Sequence, residues 1–391
     1  MESVQQEVVT FQGRDFRTGQ PTQISVKDGV IVKISSNIEG AFDENLWIGP
    51  GLVDLQVNGY QGHDLNTSPL KVESVRHVTK SLWQEGVTSY MPTVITNSDE
   101  RIEQALKVIA HFIETDEWGR NIAGIHLEGP FISPEDGPRG AHPLAFVKPP
   151  DWELFEKWQH VAKGHIRMIT LSPEWPSAPN FIKRCVAKGV KVAIGHTAAN
   201  TEQIKQAVEA GASFSTHLGN GAHAVLPRHP HYIWDQLAAD ELWAGIIGDG
   251  FHLPVSLLKV IYKVKQSKTI LVSDAVDLAG LSPGNYVTHV GGHVVLTPEG
   301  RLHLADQPQL LAGSVKSIRE GMETFLKGNI CEFQKVWEMA SINPSTMLEL
   351  PTAKGLTAGA PADLVMFKMD QTGRLNVIQT IKRGKIVYNL M

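Results

Sequence analysis

Cysteine is scarce in this 391-residue chain, which contains only Cys185 and Cys331. Two cysteines cannot build the disulfide framework of a small secreted domain, and they cannot supply the thiolates of a cysteine-rich zinc site. The sequence also lacks a signal peptide and a membrane span, because its N-terminus MESVQQEVVTFQGRDF is charged and no uninterrupted apolar stretch approaches ~18 residues. We therefore expect a cytoplasmic protein.

A strong excess of one charge is likewise missing from the sequence. The 36 basic and 41 acidic residues give a formal net charge of -5 at pH 7. Nucleic acids and anionic membranes attract basic surfaces, so neither is expected as a partner. The hydrophobic content of 42% and the charged content of 20% are those of an ordinary globular protein.

Short apolar runs alternate with segments of helical periodicity through the middle of the chain, which is the pattern of repeated βα units. Strands are predicted at residues 53–57, 88–94, 122–128, 166–171, 191–196, 213–217, 243–249 and 269–274. Eight strands close a TIM barrel, and such a barrel needs about 250 residues. We therefore predict an α/β fold, a (β/α)8 TIM barrel with an appended domain.

The two ends of the chain have a different pattern from the middle. Residues 5–48 and 355–391 alternate in strand fashion, with turn signals at Gly13, Gly29, Gly373 and Gly384. We predict a small β-sandwich domain from residues 1–49 and 355–391, and a barrel domain from residues 50–354. Residues 285–304 are predicted to form a further hairpin.

Four chemically active side chains stand at the ends of predicted barrel strands. Glu128 ends GIHLE, His196 ends VAIGH, His217 ends FSTH and Asp274 ends LVSD. The carboxyl ends of all barrel strands converge on one mouth, so these residues can meet there. A glutamate with two histidines is a three-ligand set for catalytic zinc, and Asp274 is placed to act as general base.

Each of these residues also has a purely structural interpretation. A single histidine at a strand end is more often a hydrogen-bonded structural residue than a ligand, and an aspartate after an apolar run is commonly a helix N-cap. The shared position at one barrel face favours the functional interpretation. His126 precedes the carboxylate, and we predict that it packs on the opposite face of its strand.

Seven ordered motifs carry a family resemblance: HLEGPF, RGAH, the GHT and THLGN pair, GDGFH, LVSDA and LAGS. In this order they resemble the N-acetylglucosamine-6-phosphate deacetylases of the amidohydrolase superfamily. The resemblance spans about residues 50–344 and extends to GLTAGAPADLV near the C-terminus. It implies hydrolysis of an N-acetyl group on an amino-sugar phosphate, with Asp274 taking a proton from water and delivering it to the departing amine.

The first predicted barrel strand bears on the number of metal ions. Many amidohydrolases have His-x-His there, whereas DLQVNG supplies Gln56 and Asn58, and amides are weaker zinc ligands than imidazoles. The fourth strand, IRMITLSPE, lacks the lysine that bridges two metals in some relatives when carbamylated. We therefore expect one divalent metal ion, zinc, as in the single-metal members that this chain resembles.

The resemblance also implies residues that bind the substrate. His142 matches a substrate-binding histidine, Asn220 and Gly221 match a turn that holds the sugar phosphate, and Arg228 matches a phosphate-binding arginine. His252 resembles a histidine that reaches the phosphate of the neighbouring subunit, which implies a homodimer with shared active sites. A loop above the sugar is implied for Leu311, Ala312, Gly313 and Ser314.

One stretch departs from the family pattern and leaves the substrate open. In THLGNGAHAVLPRHPH, Gly219, Gly221 and His223 replace the aromatic residue and the Ala-Met pair of the family. A deacetylase of amino-sugar phosphates is the first hypothesis. A hydrolase of another N-acylated sugar, a cyclic amide or an N-acyl amino acid would not need Arg228 or His252. A non-catalytic binding protein is the third hypothesis, and intact Asp274 and metal ligands argue against it.

Overall fold

The computed structural model describes residues 8–38, 40, 43–288 and 292–390. Two of the predictions therefore fall partly outside the described residues. The predicted terminal β domain includes residues 1–7, 39, 41–42 and 391, and the predicted hairpin at 285–304 includes residues 289–291.

The strands and helices are numbered in chain order. The strands are β1 (Val9–Asp15), β2 (Pro21–Lys27), β3 (Val30–Ser35), β4 (Trp47–Pro50), β5 (Leu52–Val57), β6 (Gly59–Tyr60), β7 (His63–Asp64), β8 (Val87–Ile95), β9 (Ile125–Glu128), β10 (Ile166–Leu171), β11 (Lys191–Ile194), β12 (Phe214–Ser215), β13 (Trp243–Ile247), β14 (Thr269–Val272), β15 (Gly284–Thr288), β16 (Gly292–Leu296), β17 (Leu302–Leu304), β18 (Leu364–Met369), β19 (Leu375–Lys382) and β20 (Lys385–Asn389). The α-helices are α1 (Val72–Gln84), α2 (Asp99–Thr115), α3 (Trp152–Val161), α4 (Ala178–Ala187), α5 (Thr201–Glu209), α6 (Tyr232–Ala238), α7 (Val255–Lys265), α8 (Ile318–Lys327), α9 (Phe333–Met339) and α10 (Ile342–Met347). Short 3₁₀ helices span Gly119–Asn121, Leu144–Phe146, Gln266–Lys268 and Pro351–Lys354.

Eight parallel strands form the barrel in the order β5, β8, β9, β10, β11, β12, β13 and β14. The last strand returns to the first, because the backbone N–H groups of Asn58 and Gly59 donate to the carbonyl of Ala275 at 2.8 and 3.0 Å. The N–H of Asp274 donates to the carbonyl of Gln56 at 3.0 Å at the same junction. The predicted TIM barrel is confirmed.

Several barrel strands are shorter than the sequence predicts, and the difference has a backbone cause. The predicted strands run to His196, His217 and Asp274, whereas β11, β12 and β14 end two residues earlier. These three residues have φ angles of 48°, 29° and 49°. A residue in the left-handed region cannot continue a pleated strand, so each chain turns away from the ladder at its functional residue.

The two ends of the chain together form one seven-stranded sheet in the order β20, β19, β18, β4, β1, β2 and β3. The predicted β structure from both termini is therefore confirmed. The domain boundaries at residues 49/50 and 354/355 stay a prediction, and β4 runs across the first of them. The region of the predicted hairpin contains the three antiparallel strands β15, β16 and β17.

The terminal sheet is attached to the barrel through an aromatic cluster around Trp337 of α9. The Trp337 indole stacks on Phe367 of β18 with ring centroids 4.3 Å apart, and its Nε1–H donates to the Pro50 carbonyl at 3.0 Å. Phe16 and Phe333 pack against the same ring. None of the helices in the described ranges has the length and apolar character to cross a membrane.

Candidate metal centre and active site

Three side chains from three barrel strands converge at the barrel mouth. Oε1 of Glu128 lies 3.3 Å from Nε2 of His196 and 3.1 Å from Nε2 of His217, and the two nitrogens are 3.0 Å apart. All three side chains are buried. One carboxylate and two imidazoles in this arrangement could hold a metal ion, as the sequence predicts.

Hydrogen bonding around His196 suits a metal ligand. Nδ1 of His196 lies 2.8 Å from the carbonyl oxygen of Pro138, which can only accept, so Nδ1 carries the proton and donates it. In the neutral ring the Nε2 lone pair then faces Glu128 and His217. Nε2 of a neutral His196 therefore has no proton to donate to these neighbours. Lone pairs that converge in this way can bind one cation together. The donor set therefore fits a divalent metal.

Two glycines let the surrounding backbone approach the His196 ring. A Cβ on Gly221 would lie 2.8 Å from Nδ1 of His196, and a Cβ on Gly140 would lie 3.4 Å from its Cε1. Gly221 also has a φ of 56°, a conformation that favours glycine. The ring is thus held between two loops, one from each side.

Glu128 is a carboxylate at the end of a buried strand, where neighbouring groups must offset its loss of hydration. Burial by itself would raise the pKa of Glu128, but the His196 and His217 rings beside it outweigh burial and hold the pKa well below its usual range. The amide Nε2 of Gln56 also donates to Oε1 of Glu128 at 3.0 Å. The carboxylate is therefore kept ionised, as a metal ligand must be.

Asp274 lies next to this triplet, and its pKa is shifted in the opposite direction from that of Glu128. Burial, reinforced by the negative charge of Glu128, raises the pKa of Asp274 to about 6. The side-chain amide of Asn58 donates to Oδ1 of Asp274 at 2.7 Å. One oxygen of Asp274 is thus fixed by a neutral donor, and a carboxylate whose pKa lies near neutrality can exchange a proton with a reacting group.

The prediction for His126 is wrong in one respect. His126 and Glu128 are two residues apart in β9 and therefore share a face of the strand. The His126 ring is fully buried, with Nε2 2.7 Å from Oγ1 of Thr170 and Nδ1 3.3 Å from the Leu55 carbonyl. Burial lowers its pKa to about 4, so the ring is neutral and structural.

Of the predicted substrate-binding residues, His142, Asn220 and Gly221 lie around His196. The buried His142 ring meets the His196 ring edge-on with centroids 4.4 Å apart, and burial lowers the pKa of His142 to about 3. The Asn220 amide donates to the His217 carbonyl at 3.2 Å. The three residues therefore border the candidate metal site.

The remaining predicted residues lie at different distances from the centre of the site. Ser314 is buried, and its carbonyl accepts from the N–H of Val276, so the Leu311, Ala312, Gly313 and Ser314 segment runs beside the chain that carries Asp274. His252 bonds through Nδ1 to Oδ2 of its own Asp249 at 2.7 Å. Arg228 is exposed on the loop after β12.

Sequence reasoning assigned Gln56 and Asn58 only a negative role, as weak metal ligands. In the structure both amides donate to the functional carboxylates, Gln56 to Glu128 and Asn58 to Asp274. The signal was present in the sequence, because residues 56 and 58 share a face at the end of the first barrel strand and point towards the same mouth.

Comparisons with known proteins extend over almost the whole chain. A model of the amidohydrolase family matches residues 47–387. An N-acetylglucosamine-6-phosphate deacetylase of Bacillus subtilis is 34% identical over 344 residues, which cover 87% of this chain and 84% of the relative. One of Lysinibacillus sphaericus is 30% identical over 385 residues, with 97% and 95% coverage. The solved structure of N-acetylglucosamine-6-phosphate deacetylase from Thermotoga maritima is 26% identical and superposes with a TM-score of 0.83, covering 98% of this chain and 100% of that one.

Proposed function

The chain belongs to the amidohydrolase family, and from this premise we propose that it hydrolyses N-acetylglucosamine 6-phosphate to glucosamine 6-phosphate and acetate. The observation that carries the proposal is the Glu128, His196 and His217 triplet beside Asp274 at the mouth of the barrel. Relatives at 30 to 34% identity are deacetylases of this substrate. A place in amino-sugar metabolism follows from this reaction, and a cytoplasmic location stays a prediction.

We propose that Glu128, His196 and His217 hold one divalent metal ion, zinc. When bound, such an ion acts as a Lewis acid that lowers the pKa of water towards ~7 and polarises an acyl carbonyl. Gln56 contributes by fixing Glu128 through its donated hydrogen bond. Gln56 and Asn58 stand where many amidohydrolases have the His-x-His motif, and both donate to carboxylates instead.

Asp274 is the proposed general base and, later, the general acid. Asn58 engages Oδ1, so Oδ2 is the oxygen that accepts a proton from the attacking water. As the carbon–nitrogen bond of the amide breaks, the same oxygen returns the proton to the departing nitrogen, which leaves as a neutral amine. A pKa of about 6 suits both steps, because the group is ionised at neutral pH and still binds a proton readily.

Substrate recognition is proposed for two groups of residues. The first group borders the metal site and would contact the sugar and its acetyl group: His142, Asn220, Gly221, Leu311, Ala312, Gly313 and Ser314. The second group consists of Arg228 and His252, which would bind the phosphate. A guanidinium suits a phosphate because its planar N–H groups can form two parallel charge-assisted hydrogen bonds.

We further propose that the enzyme is a homodimer with shared active sites. His252 bonds to its own Asp249, which holds its ring against its own subunit and favours a role there. Arg228 lies on an exposed loop beside Val225, which is 87% exposed. We therefore propose that Arg228, and not His252 as the sequence suggested, is the residue that reaches the phosphate of the partner subunit.

A panel of N-acetylated sugars, each with and without a 6-phosphate, tests the proposed reaction through the release of acetate. We expect N-acetylglucosamine 6-phosphate to have the highest kcat/KM. A higher kcat/KM for an unphosphorylated sugar, a cyclic amide or an N-acyl amino acid would favour the second candidate function. The exposed position of Arg228 in a single chain is the observation that keeps this second candidate open.

A further inference from the structure

Two loops border His196 and meet each other at the rim of the site. The β9 loop, residues 129–151, contributes the Pro138 carbonyl that accepts from His196 and also carries Gly140 and His142. The β12 loop, residues 216–231, places Gly221 against the same ring. Any contact that fixes these loops to each other therefore acts on the surroundings of His196.

One chain of hydrogen bonds joins the two loops. Oε2 of Glu135 in the β9 loop lies 3.0 Å from Nε2 of His223 in the β12 loop. Nδ1 of His223 lies 3.0 Å from the hydroxyl of Tyr232, at the start of α6, and the same hydroxyl accepts from the backbone N–H of His223 at 2.9 Å. This series of hydrogen bonds thus runs from the β9 loop, through the β12 loop, to α6.

A neutral His223 satisfies every link of this chain. The hydroxyl of Tyr232 accepts from the His223 backbone and donates its own proton to Nδ1. The ring then carries its proton on Nε2 and donates it to the carboxylate of Glu135. Tyr232 is buried, whereas the side chains of Glu135 and His223 are 59% and 29% exposed, so the chain leads from the protein interior to the surface.

Close backbone packing accompanies the hydrogen bonds. A Cβ on Gly137 would lie 3.0 Å from Cα of His223 and 3.3 Å from the carbonyl oxygen of Ala222, and Gly137 has a φ of 93°. A side chain at position 137 would therefore be strained and would press the β9 loop away from the β12 loop. Residue 223 falls in the stretch that departs from the pattern of the resembled family.

We propose that Glu135, His223 and Tyr232 form a clasp that locks the two loops together and thereby positions His142 and Asn220 for the substrate. This inference rests on the proposed function, because it assigns the loops a role in binding that substrate. None of the three belongs to the metal triplet or is placed against Asp274, so they are positioning residues. Opening the clasp weakens substrate binding and leaves the metal in place.

Steady-state kinetics with N-acetylglucosamine 6-phosphate test the clasp. In Glu135→Ala and in Tyr232→Phe, we expect KM to rise about 3 to 10 fold with kcat within about twofold of wild type, since one or two hydrogen bonds are lost. Glu135→Gln keeps an acceptor for Nε2–H of His223 and should stay near wild type. The double variant Glu135→Ala/Tyr232→Phe should be little worse than either single variant, because one broken link already opens the clasp.

The matched control is Lys205→Ala, which breaks an exposed ion pair with Glu209 on α5, away from the two loops. This variant should leave KM unchanged. An unchanged KM in Glu135→Ala, or a double variant whose KM rises by the product of the single effects, would overturn the clasp. Metal content measured on the same samples should remain one ion per chain, and its loss from Glu135→Ala would overturn it too.

Hydrogen exchange tests the clasp independently of the proposed reaction. In Glu135→Ala, amides of the β12 loop should exchange about threefold faster or more, although the substitution lies in the other loop. Faster exchange confined to the β9 loop would contradict the clasp. This measurement needs no substrate, so it can fail separately from the proposed reaction. Faster exchange of the β12 loop in Glu135→Ala without acetate release by the wild type would refute the proposed function alone. Acetate release without faster exchange of the β12 loop would refute the clasp alone.

Discussion

The proposed reaction needs an Asp274 with a raised pKa and a fixed orientation, and burial and a neutral hydrogen-bond partner supply these. Its Oδ1 accepts from Asn58 at 2.7 Å, and burial raises its pKa to about 6. Asp274→Asn preserves the size of the side chain and removes the proton acceptor. We expect kcat to fall about 100 fold or more, which is typical for loss of a general base, with the metal retained. Acetate release and metal content measured on the same preparation check both parts.

Glu128→Ala supplies the comparison for this prediction. This substitution removes a ligand, so the protein should lose its metal and its activity together. Glu135→Ala is the matched control for metal content, because Glu135 is a carboxylate near the site but outside the triplet. Near-normal turnover of Asp274→Asn would remove Asp274 from the mechanism, and full metal content in Glu128→Ala would remove Glu128 from the ligand set.

Asp54 is a buried carboxyl group that the proposed mechanism does not use. Its Oδ1 accepts from the backbone N–H groups of Gln56 and Ser273 at 3.3 and 3.1 Å. Burial raises the pKa of Asp54 from 3.8 to about 7. The folded state therefore holds a proton that the unfolded chain releases near pH 4, so this group's contribution to the free energy of unfolding declines as the pH rises through about 7.

Asp54→Asn removes this pH dependence because an amide does not titrate. Relative to wild type, we expect the free energy of unfolding of the variant to gain about 2 to 4 kcal/mol between pH 4 and pH 8. Urea denaturation of both proteins at each pH measures the difference. Asp306→Asn, at an exposed position, is the control. A difference that stays constant with pH would show that Asp54 does not titrate with a raised pKa.

At the scale of secondary-structure elements, the sequence predicted the barrel strands well because their apolar runs are short and separated by helical periodicity. The β10 strand has the predicted bounds, and the other barrel strands are found within a few residues of theirs. The strand ends were predicted too long at His196, His217 and Asp274, since positive φ angles at non-glycine residues leave no mark in a hydrophobic pattern.

The residues of the candidate site that stand at strand ends could be predicted from the sequence. The contacts that its loops make with each other could not. Glu128, His196 and His217 could be grouped because all barrel strands end at one mouth. The hydrogen bond between Glu135 and His223 joins residues 88 positions apart on two loops, and nothing in local sequence fixes how such loops meet. Contacts of this kind need the folded chain.

The α9 helix joins the barrel to the terminal sheet through Trp337, which is 1% exposed. Trp337→Ala removes the stacking on Phe367 and the hydrogen bond to Pro50, and it should lower the free energy of unfolding by about 3 to 5 kcal/mol. Trp337→Phe keeps an aromatic ring and should cost less. Chemical denaturation measures both changes, and a loss below about 1 kcal/mol for Trp337→Ala would mean that the sheet is not held by this cluster.

At the scale of the whole molecule, the shared active site is the part of the proposal that a single chain cannot display. Arg228 lies between two exposed apolar side chains in the sequence, Val225 at 87% exposure and Trp234 at 49%. Burying such side chains against a second copy would be favourable, and it would carry Arg228 to the partner. If Arg228 binds a phosphate, Arg228→Ala should lower kcat/KM for the phosphorylated sugar about 10 to 150 fold and leave the unphosphorylated sugar within a few fold.

Mixed dimers of Asp274→Asn and Arg228→Ala show in which subunit Arg228 acts. In a mixed dimer, the Arg228→Ala subunit keeps Asp274 and would receive an intact Arg228 from its partner, so one of the two sites is complete. After equal mixing and subunit exchange, half of the dimers are mixed, and activity should recover to about a quarter of wild type. If Arg228 served its own subunit, no complete site would form and activity would stay at the average of the two parent variants. Sedimentation of the mixture verifies that dimers are present, since a monomeric protein would contradict the shared site directly.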